Sequence, residues 1–501
     1  MPLSVPPSVA HVFDRVLAED PDREALVTRS ARLSYAELDR LADRAAHALA
    51  GLGIGAGDRV GASLPNEVDV VAAFHGTMRL GAVWVGVNRA LAPPEKAFLL
   101  DDSGASVLLS DDEVAGLSQR VVPVAEWRAA VAAADEEPRR AQIDPHAPAG
   151  IAYTSGTTGH PKGAVHSQWN LLVPGAVLVE SRGYGPDLRK GDCLPLTILN
   201  MVVLTTLLVA QAGGTCIVMD RLDPEGVAEW VRAERVSTWN GPPALLHGLA
   251  TNGAVAREDL ASLDEVWTGG ADCPAAIQTM FEAKFGQPVL ATYGLSEAPT
   301  IVAIDPRGGP HAGGSSGRPL PHLAVRIAGS DGSTLPAGET GEICVGPAEG
   351  DDRYRLMLGY WERPEATADA LAGGELHTGD LGFLDGTGNL HVRDRKSLVI
   401  IRGGANVYPA EVERVLHEAD GVAACAVVGV PDARLGERVV ALVEPAPGAS
   451  VDEDALRDHC LANLAKYKVP ERFLPVTAFP RNAMGKIVRR ELGPLLPDTV
   501  L

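Results

Sequence analysis

The chain has 501 residues, six scattered cysteines and a formal net charge of -21 at pH 7. A chain of this length exceeds what one ordinary hydrophobic core contains, so we expect at least two domains. The acidic balance, without a block rich in Lys or Arg, argues against a general binding surface for nucleic acid or anionic membranes. It leaves room for locally basic pockets that bind phosphates.

Cysteine usage and apolar segments bound the cellular setting. The cysteines form no Cys-x-x-Cys pair and have no histidines at metal-ligand spacing, which disfavours a disulfide framework or a zinc site and favours a cytoplasmic location. The N-terminus lacks the features of a signal peptide. The uncharged segment 194–219 is divided by Pro195, Asn200 and the Gly213-Gly214 pair into a helix of about three turns and a short strand, so we expect no membrane span.

The first part of the chain alternates between helical and strand-like patterns, which predicts parallel sheets and more than one α/β layer. A capping box at Ser34 and Glu37 marks the start of the first long helix. The predicted elements, in chain order, are a helix from this box to the stop at Gly51 and Gly53, a strand over 59–64, a helix over 67–80, a strand over 82–87, a strand over 214–219, a helix over 225–234 and a strand over 236–239, with a similar rhythm over 281–292.

The pattern changes near residue 320, where short runs broken by Gly, Asp and Pro predict β-hairpins over 324–345. A last segment predicts a helix over 409–419, strands over 423–430 and 438–444, and a helix over 453–464. The sequence therefore predicts an α/β fold. Its large N-terminal domain has two α/β sub-layers plus a β-rich subdomain, and its small C-terminal domain is α+β; the expected bounds are 1–393, a hinge over 394–397, and 398–501.

One loop between Tyr153 and His166 concentrates hydroxyl groups, glycines and a single lysine after the apolar run 149–152. Glycines let its backbone approach a ligand closely, and its hydroxyls and amides suit a polyphosphate. The loop is not a Walker A motif, because Lys162 is followed by glycine and not by Ser or Thr. A surface loop without a ligand is the alternative interpretation of this segment alone.

Six further motifs decide between these interpretations, because they occur in order along most of the chain. They are Tyr293-Gly-Leu-Ser-Glu297-Ala, Gly338-Glu-Thr-Gly-Glu342-Ile, Gly359-Tyr-Trp-Glu-Arg-Pro-Glu365-Ala-Thr, His377-Thr-Gly-Asp380-Leu-Gly, Asp394-Arg395 with Gly403-Gly-Ala-Asn-Val-Tyr-Pro-Ala-Glu411, and Asn482-Ala-Met-Gly-Lys486-Ile. Each is weak alone, but the ordered set resembles the adenylate-forming superfamily of acyl-CoA synthetases, stand-alone adenylation domains and luciferases. The chain is most similar to medium-size acyl-CoA synthetases.

The resemblance implies a two-step reaction that uses ATP and Mg²⁺. A carboxylate attacks the α-phosphate of ATP to give an acyl-adenylate and pyrophosphate, and a thiol then displaces AMP. The thiol is that of coenzyme A or, alternatively, the phosphopantetheine of a carrier protein. A stand-alone enzyme that activates an unusual oxyacid for a non-thiol acceptor is a further alternative. A member that binds nucleotide without turnover is a third hypothesis, against which the intact Lys486, Glu297 and Asp380 argue.

The resemblance also implies roles in the nucleotide site. Lys486 is the expected catalytic lysine that bridges the carboxylate and the α-phosphate. Glu297 is expected to position Mg²⁺, and Ser296 stands where the family usually has Thr. Asp380 is expected to hold the ribose hydroxyls, while Arg395 adds a donor or, alternatively, forms a hinge salt bridge. The other expected contacts are Thr154, Ser155, Gly156, Thr157, Thr158, Gly159 and Lys162 with the β- and γ-phosphates, and Gly270, Ala271, Tyr293 and Gly294 around adenine, with Tyr293 stacked on the ring.

Lys486 lies far beyond the predicted hinge, so the resemblance implies a mobile C-terminal domain that rotates after adenylation. Gly403 and Gly404 are then expected to line a tunnel for the pantetheine arm, although a turn after the strand over 398–401 is the alternative. At the hinge, Ser397 stands where the family usually has Asp or Lys.

The expected acid pocket departs from the family pattern, because the aromatic-His pair that often gates the carboxylate is replaced by Leu199-Asn200. The other residues expected to line it are Met201, Val202, Val203, Trp239 and Gly294. They favour a small to medium, mostly uncharged acid, alicyclic or aromatic, although core packing is the alternative for Val and Met. The expected partners are this small-molecule carboxylic acid and, as a further candidate, an acyl carrier protein; we expect no nucleic acid, and a monomer or homodimer.

Overall fold

The computed structural model describes residues 5–112, 117–140, 142–154, 161–269, 273, 275–309, 313–402, 405–432, 435–481 and 485–497, without the side chains of residues 397 and 406. Within these residues the chain forms four β-sheets with helices packed against them. The predicted α/β class is confirmed.

The strands fall into two groups, those before residue 396, which build three sheets, and those from residue 400 onward, which build the fourth. In chain order they are β1 Glu24–Val27, β2 Arg32–Ser34, β3 Arg59–Ser63, β4 Val83–Gly86, β5 Val107–Ser110, β6 Arg120–Val122, β7 Pro148–Thr154, β8 Lys162–Ser167, β9 Arg189–Asp192, β10 Thr215–Val218, β11 Thr238–Asn240, β12 Glu265–Gly269, β13 Val289–Leu295, β14 Ala298–Ile304, β15 Arg318–Pro319, β16 Leu323–Ala328, β17 Gly341–Pro347, β18 Gly359–Tyr360, β19 Leu376–Leu384, β20 Leu390–Arg395, β21 Ile400–Arg402, β22 Ala405–Val407, β23 Val422–Asp432, β24 Gly436–Pro445 and β25 Arg472–Pro475.

The helices connect these strands and cover the sheets. In chain order they are α1 Asp14–Glu19, α2 Tyr35–Gly51, α3 Val68–Arg79, α4 Pro93–Ser103, α5 Val124–Ala133, α6 Gln168–Arg182, α7 Leu199–Val202, α8 Leu208–Ala212, α9 Pro224–Glu234, α10 Pro243–Thr251, α11 Ala275–Phe285, α12 Pro364–Ala370, α13 Pro409–His417 and α14 Glu453–Asn463. The predicted capping box starts α2, since the Ser34 Oγ accepts the Glu37 amide and the Glu37 Oε2 accepts the Ser34 amide.

The first two sheets are parallel at their centres, as the alternation of helix and strand predicted. The large sheet has the order β15-β14-β13-β12-β11-β9-β10-β1-β2, and the second sheet has the order β18-β8-β7-β4-β3-β5-β6. Antiparallel pairs lie at their edges, among them β7 with β8 and β8 with β18. Side chains of the central strands are almost all buried, which is expected when helices cover both faces of a parallel sheet.

The remaining two sheets also match the sequence patterns. The third sheet, β16-β17-β19-β20, is antiparallel, which confirms the hairpins predicted after residue 320. The fourth sheet, β22-β21-β24-β23 with β25 beside β24, packs with α13 and α14 around its own apolar cluster, which includes Val412, Val439 and Phe473. The predicted small α+β unit at the C-terminal end is therefore present.

The uncharged segment 194–219 forms α7, α8 and β10, in agreement with the predicted helix and strand. Between α7 and α8, residues Val203–Leu207 form a π turn, which the sequence pattern did not predict. In this turn the Thr205 Oγ1 donates to the buried Asp192 carboxylate at 2.6 Å, a long-range contact that apolar periodicity does not encode. Among the described residues, no helix has the length and apolarity needed to cross a bilayer.

Candidate active site

The β7–β8 hairpin brackets the phosphate-type loop. Thr154 at the end of β7 pairs in register with Lys162 at the start of β8, and its Oγ1 donates to the Lys162 carbonyl at 3.4 Å. The hairpin is anchored from outside the sheet, because the Tyr153 Oη donates to Asp102 on α4 at 2.8 Å. Ser155, Gly156, Thr157, Thr158 and Gly159, which the sequence placed on the phosphates, lie outside the described residues.

Lys162 and Glu297 both lie next to one aromatic side chain, that of Tyr360 on β18. The Tyr360 Oη donates to the Glu297 Oε1 at 2.8 Å, and the Lys162 Nζ is 5.2 Å from the centroid of the Tyr360 ring. Burial, and then the negative charge of Glu297, raise the pKa of the Tyr360 phenol, so the phenol remains a donor at neutral pH. The predicted phosphate lysine and the predicted magnesium carboxylate are therefore neighbours of the same side chain.

The turn that carries Ser296 and Glu297 is also held by a histidine on β8. The His166 Nε2 lies 2.6 Å from the Ser296 carbonyl oxygen, so this nitrogen carries the proton and donates. The imidazole is fully buried, and burial lowers the pKa of His166 to about 4. A neutral imidazole thus fixes the backbone next to Glu297.

Close packing at Gly294 shapes the same turn between β13 and β14. A Cβ added at Gly294 would lie 1.8 Å from the Thr300 carbonyl oxygen, so no larger residue fits there. Gly270 and Ala271, which the sequence placed near adenine, lie outside the described residues.

The predicted ribose carboxylate joins the large sheet to the third sheet. The Tyr293 Oη on β13 donates to the Asp380 Oδ2 on β19 at 2.8 Å, and the Arg395 Nε lies 3.0 Å from the Asp380 Oδ1. Burial, and then the charge of Asp380, raise the pKa of Tyr293 well above its ordinary value, so the phenol remains protonated. Arg395 is about half exposed and points from the end of β20 into this pair.

Lys486, in the C-terminal part of the chain, is close enough to this carboxylate to interact with it electrostatically. Lys486 is exposed to solvent, and the space between Lys486, Arg395 and Asp380 is called the cleft below. The surrounding protein lowers the pKa of Lys486 by desolvation, and repulsion from Arg395 lowers it further, whereas attraction to Asp380 acts in the opposite direction. The three charged groups predicted to act on ATP are thus within electrostatic range of one another.

Two further contacts join the C-terminal part to the rest of the chain near this cleft. The Asp394 Oδ2 accepts the amide of Ala410 in the first turn of α13 at 2.8 Å, and burial raises the pKa of the Asp394 carboxyl. The exposed Arg490 lies 3.6 Å from Glu95 on α4. Gly403 and Gly404, the predicted tunnel residues, and the Ser397 side chain lie outside what the structure describes.

The residues predicted for the acid pocket divide into a polar and an apolar set. Met201, Val202, Val203 and Trp239 are buried in the hydrophobic core. Asn200 is partly accessible, and its Oδ1 is buried without a hydrogen-bond partner among the described residues. Asn240, at the end of β11, places its Nδ2 3.6 Å from the Met201 Sδ. The structure therefore brings a second amide side chain, which follows the predicted pocket residue Trp239 in sequence, to the Asn200 segment.

A cluster beside Asp380 joins Glu342 and His377, from two of the quoted motifs, to Cys344 and Glu375, and the sequence does not show this grouping. The Cys344 Sγ is 3.6 Å from the His377 Nδ1, and carboxylates of Glu342 and Glu375 lie 3.5 Å and 3.9 Å from the His377 ring nitrogens. Arg326 pairs with Glu375 and Lys396 with Glu342, so the cluster is already balanced in charge. Glu342 also accepts the Gly379 amide at 3.2 Å, and the cluster therefore supports the turn that presents Asp380.

Two functional candidates, Tyr360 and His166, were not assigned roles from sequence. Tyr360 lies in the quoted motif after Gly359, but the motif letters do not say which side chain it contacts. His166 follows the phosphate-type loop, and its position in sequence does not show which group it contacts. Tyr360 becomes recognisable because β18 pairs with β8, and His166 because its ring meets the turn between β13 and β14.

Family models agree with this arrangement of residues. The AMP-binding enzyme model matches residues 13–361, and the model of the AMP-binding enzyme C-terminal domain matches residues 411–486. The chain belongs to the AMP-binding enzyme family. The predicted adenylate-forming superfamily is confirmed.

Three relatives illustrate this membership. The chain is similar to a feruloyl-CoA synthase from an Amycolatopsis species, with 38% identity over 92% of this chain and 93% of the relative. It is 35% identical to the long-chain-fatty-acid–CoA ligase FadD13 of Mycobacterium tuberculosis, over 94% of both chains. Among solved structures, ATP-bound MatB from Rhodopseudomonas palustris superimposes with a TM-score of 0.90 at 29% identity, over 98% of this chain and 100% of that chain.

This AMP-binding enzyme is an AMP-forming acid–thiol ligase. It activates a carboxylic acid with ATP as an acyl-adenylate, with release of pyrophosphate, and then transfers the acyl group to a thiol with release of AMP. The predicted reaction class is thereby confirmed, and the family uses ATP and a small-molecule acid.

Proposed function

We propose that this enzyme is an acyl-CoA synthetase that activates a small to medium, mostly uncharged aromatic acid, with coenzyme A as the thiol acceptor. The observation that carries the proposal is the grouping of Asp380 with Tyr293 and Arg395, with Lys486 within electrostatic range of this pair. Lys486 belongs to the C-terminal α+β unit, and its position in the cleft is the one that the first half-reaction needs.

The nucleotide would lie between the β7–β8 hairpin and the Asp380 pair. Asp380 accepts from Tyr293 and Arg395 on different oxygens, so its carboxylate is fixed in orientation and still has lone pairs for ribose hydroxyls. Lys162, with the loop over 155–159, would hold the β- and γ-phosphates that leave as pyrophosphate. These assignments place the α-phosphate between Lys162 and Lys486.

Lys486 would act on the developing charge at the α-phosphate. Attack of a carboxylate on a phosphate brings two anions together, so a fixed cation beside them stabilises the transition state. In the cleft, Lys486 is repelled by Arg395, and the negative charge of bound ATP would offset this repulsion. The charged form of Lys486 would therefore be more stable with ATP bound than in the cleft without ATP.

Glu297 fits the expected magnesium site. Its carboxylate supplies hard oxygen donors, is partly buried and is oriented by the Tyr360 phenol. Magnesium usually keeps one or two protein carboxylates and completes its shell with phosphate oxygens and water, so one glutamate suffices. When bound, the ion would neutralise phosphate charge, while Glu297 would fix its location.

We also propose that the domains are 1–393 and 398–501, with the hinge over 394–397. The exposed Arg490–Glu95 pair is the type of contact that contributes little free energy, so it would not oppose rotation of the C-terminal domain. Rotation would withdraw Lys486 and present residues 403–404 to the acyl-adenylate for the thiol step.

The aromatic acid class is supported by the apolar pocket segment and by the relatives. The buried Met201, Val202 and Val203 give an uncharged wall, and the amides of Asn200 and Asn240 are the polar groups beside it. The name of the feruloyl-CoA synthase relative indicates a hydroxycinnamic acid as its substrate. A hydroxylated aromatic acid would satisfy both the apolar wall and the Asn200 Oδ1.

A pyrophosphate-release assay with a panel of acids tests this proposal. The panel contains hydroxycinnamic, benzoic, cyclohexanecarboxylic, long-chain fatty and dicarboxylic acids, each with ATP and Mg²⁺, followed by coenzyme A or a holo carrier protein. We expect the highest kcat/KM with an aromatic acid and thioester formation with coenzyme A. A preference for dicarboxylic or long-chain acids, or thioester formation with the carrier protein alone, would reject this assignment.

A further inference from the structure

The Gly359-Tyr360 motif contributes no residue to the nucleotide contacts described above. Its tyrosine nevertheless contacts two residues of the site, Glu297 and Lys162. Its strand β18 pairs with β8, so that Gly359 is opposite Val165 and Tyr360 is opposite Ala164. The flanking amides of Leu358 and Trp361 donate to carbonyl oxygens of β8 at 2.8 Å. The motif is therefore held on the strand that begins with Lys162.

Backbone geometry fixes Tyr360 further. Gly359 has φ +127, a conformation that favours glycine, and a Cβ there would lie 2.7 Å from the Thr367 side chain. The Thr367 Oγ1 accepts the Tyr360 amide at 2.8 Å, from the first part of α12. Thus the glycine and the threonine of one motif, eight residues apart, both serve to place the tyrosine between them.

From this position Tyr360 contacts two groups to which the proposed function gives roles around the phosphates, Lys162 and the magnesium carboxylate Glu297. Its phenol donates to Glu297, and its ring faces the ammonium of Lys162 at a distance suited to a cation–π interaction. His166, two residues along β8 from the paired Ala164, donates to the backbone beside Glu297. Strands β8 and β18 are therefore hydrogen-bonded neighbours that carry Lys162 and the tyrosine that contacts both Lys162 and Glu297.

We propose that Tyr360 is a positioning residue for the adenylation half-reaction, which orients the Glu297 carboxylate toward the metal and keeps Lys162 at the pyrophosphate end. The proposal rests on the proposed roles of Glu297 and Lys162. Tyr360 exchanges no proton, because its phenol remains protonated, and it acts through the hydrogen bond and the ring contact. The thiol step does not need pyrophosphate contacts, so Tyr360 matters for the first half-reaction alone.

The test compares Tyr360→Phe with Tyr354→Phe. Tyr354 is buried, and its hydroxyl has no hydrogen-bond partner among the described residues, so its removal controls for the loss of a buried phenol. Acid-dependent pyrophosphate release is measured against Mg²⁺ concentration, and thioester formation is measured separately from supplied acyl-adenylate. In Tyr360→Phe we expect adenylation to fall about 10- to 100-fold, the range for a hydrogen bond to a charged group, with a higher Mg²⁺ requirement and unchanged thioester formation.

A double-substitution cycle with Glu297→Gln identifies the route of the effect. If Tyr360 acts through Glu297, Tyr360→Phe should cause little additional loss in the Glu297→Gln enzyme. Thr367→Val, which leaves the Tyr360 amide without its acceptor, should give a milder form of the same selective defect. These outcomes do not follow from a general loss of packing, which would affect both half-reactions.

The possible failures are distinguishable. Wild-type enzyme without acid-dependent pyrophosphate release would remove the proposed function on which Tyr360 depends. An active wild type with a fully active Tyr360→Phe variant, or with equal losses in both half-reactions, would overturn the positioning role alone. Additive losses in the double variant would exclude Glu297 as the group through which Tyr360 acts.

Discussion

Tyr293 on the large sheet and Asp380 on the third sheet are joined by a 2.8 Å hydrogen bond, with the phenol as donor. The two residues are 87 positions apart in sequence, and both are buried. Arg395 lies on the other oxygen of Asp380, so the carboxylate is fixed in orientation and keeps free lone pairs on both oxygens. Through this hydrogen bond, strand β13 of the large sheet orients the Asp380 carboxylate, which is proposed to hold the ribose.

Removal of this hydrogen bond should weaken nucleotide binding. We expect Tyr293→Phe to raise the KM for ATP about tenfold, because a hydrogen bond to a charged acceptor contributes about 1.5–3 kcal/mol and part of this is recovered by Arg395. The KM for the acid should change less. Steady-state pyrophosphate release with each substrate varied separately makes the measurement, and an equal rise in both KM values would contradict a ribose-side role.

Loss of the cleft lysine should separate the two half-reactions. Lys486→Ala is expected to abolish adenylate formation, since no other residue of the C-terminal unit is proposed to stabilise the α-phosphate. It should largely spare thioester formation from supplied acyl-adenylate. Rapid-quench assays of each half-reaction measure the two rates separately. Lys466→Ala, a substitution on the same C-terminal unit, is the control. An equal loss of both half-reactions in Lys486→Ala would show that the domains do not alternate.

Asn200 should influence the acid and not the nucleotide. Replacement by His, the residue usual in the family, is expected to change the ranking of acids by kcat/KM. Changing one contact in a substrate pocket alters the discrimination between two acids by about 1–3 kcal/mol. The KM for ATP should stay within about twofold, because ATP does not occupy this pocket. The acid panel supplies the measurement. A larger change for ATP than for any acid would place Asn200 outside the acid pocket.

A buried ion pair under the acid segment should matter for stability. The Lys190 Nζ is 2.6 Å from the Asp192 Oδ2, both side chains have 0% exposure, and Asp192 also holds Thr205 of the π turn. Lys190→Met should lower the free energy of unfolding by about 3–5 kcal/mol, because it leaves a buried carboxylate without its cation. Urea unfolding followed by fluorescence measures the loss.

The control is the exposed Arg120–Glu126 pair, whose side chains are 57% and 50% accessible. Arg120→Met should lower the free energy of unfolding by less than about 1 kcal/mol. The double variant Lys190→Met with Asp192→Leu should recover part of the loss of the single variant, and a further loss in the double variant would contradict the argument from an unpaired charge.

Three buried histidines should make the protein sensitive to mild acid. Burial lowers the pKa of His75 to about 3 and the pKa values of His166 and His322 to about 4, from an ordinary value of 6.5. As pH falls below 6.5, these histidines therefore bind protons in the unfolded chain before they do so in the folded protein. The free energy of unfolding decreases with pH until the folded pKa values are reached. At pH 5 each histidine should contribute a loss of about 2 kcal/mol relative to pH 7.5.

Thermal unfolding between pH 5 and pH 8 checks this slope. His75 packs against the rings of Phe13 and Phe74, so His75→Phe removes one titrating group while the site keeps its aromatic surroundings. We expect this variant to lose less stability between pH 7.5 and pH 5 than the wild type. An identical slope in the two proteins would mean that His75 does not titrate as a buried group.

The reaction class and the main elements of the fold were predictable from the sequence. The capping box at Ser34 and the apolar periodicities are local signals, because each depends on residues a few positions apart. The ordered motifs around Glu297, Asp380 and Lys486 predicted the adenylate-forming chemistry through their resemblance to a known superfamily, because the order of motifs along the chain is a property of the sequence itself. The family comparisons confirmed this reaction class.

Only the tertiary structure decided which side chains support one another. Tyr360 contacts Glu297 across 63 positions, and His166 reaches Ser296 across 130. The Cys344–His377 contact and the π turn held by Asp192 are likewise long-range. Such contacts depend on strand order and register, which follow from how whole layers bury their apolar faces together and not from any short stretch of the chain.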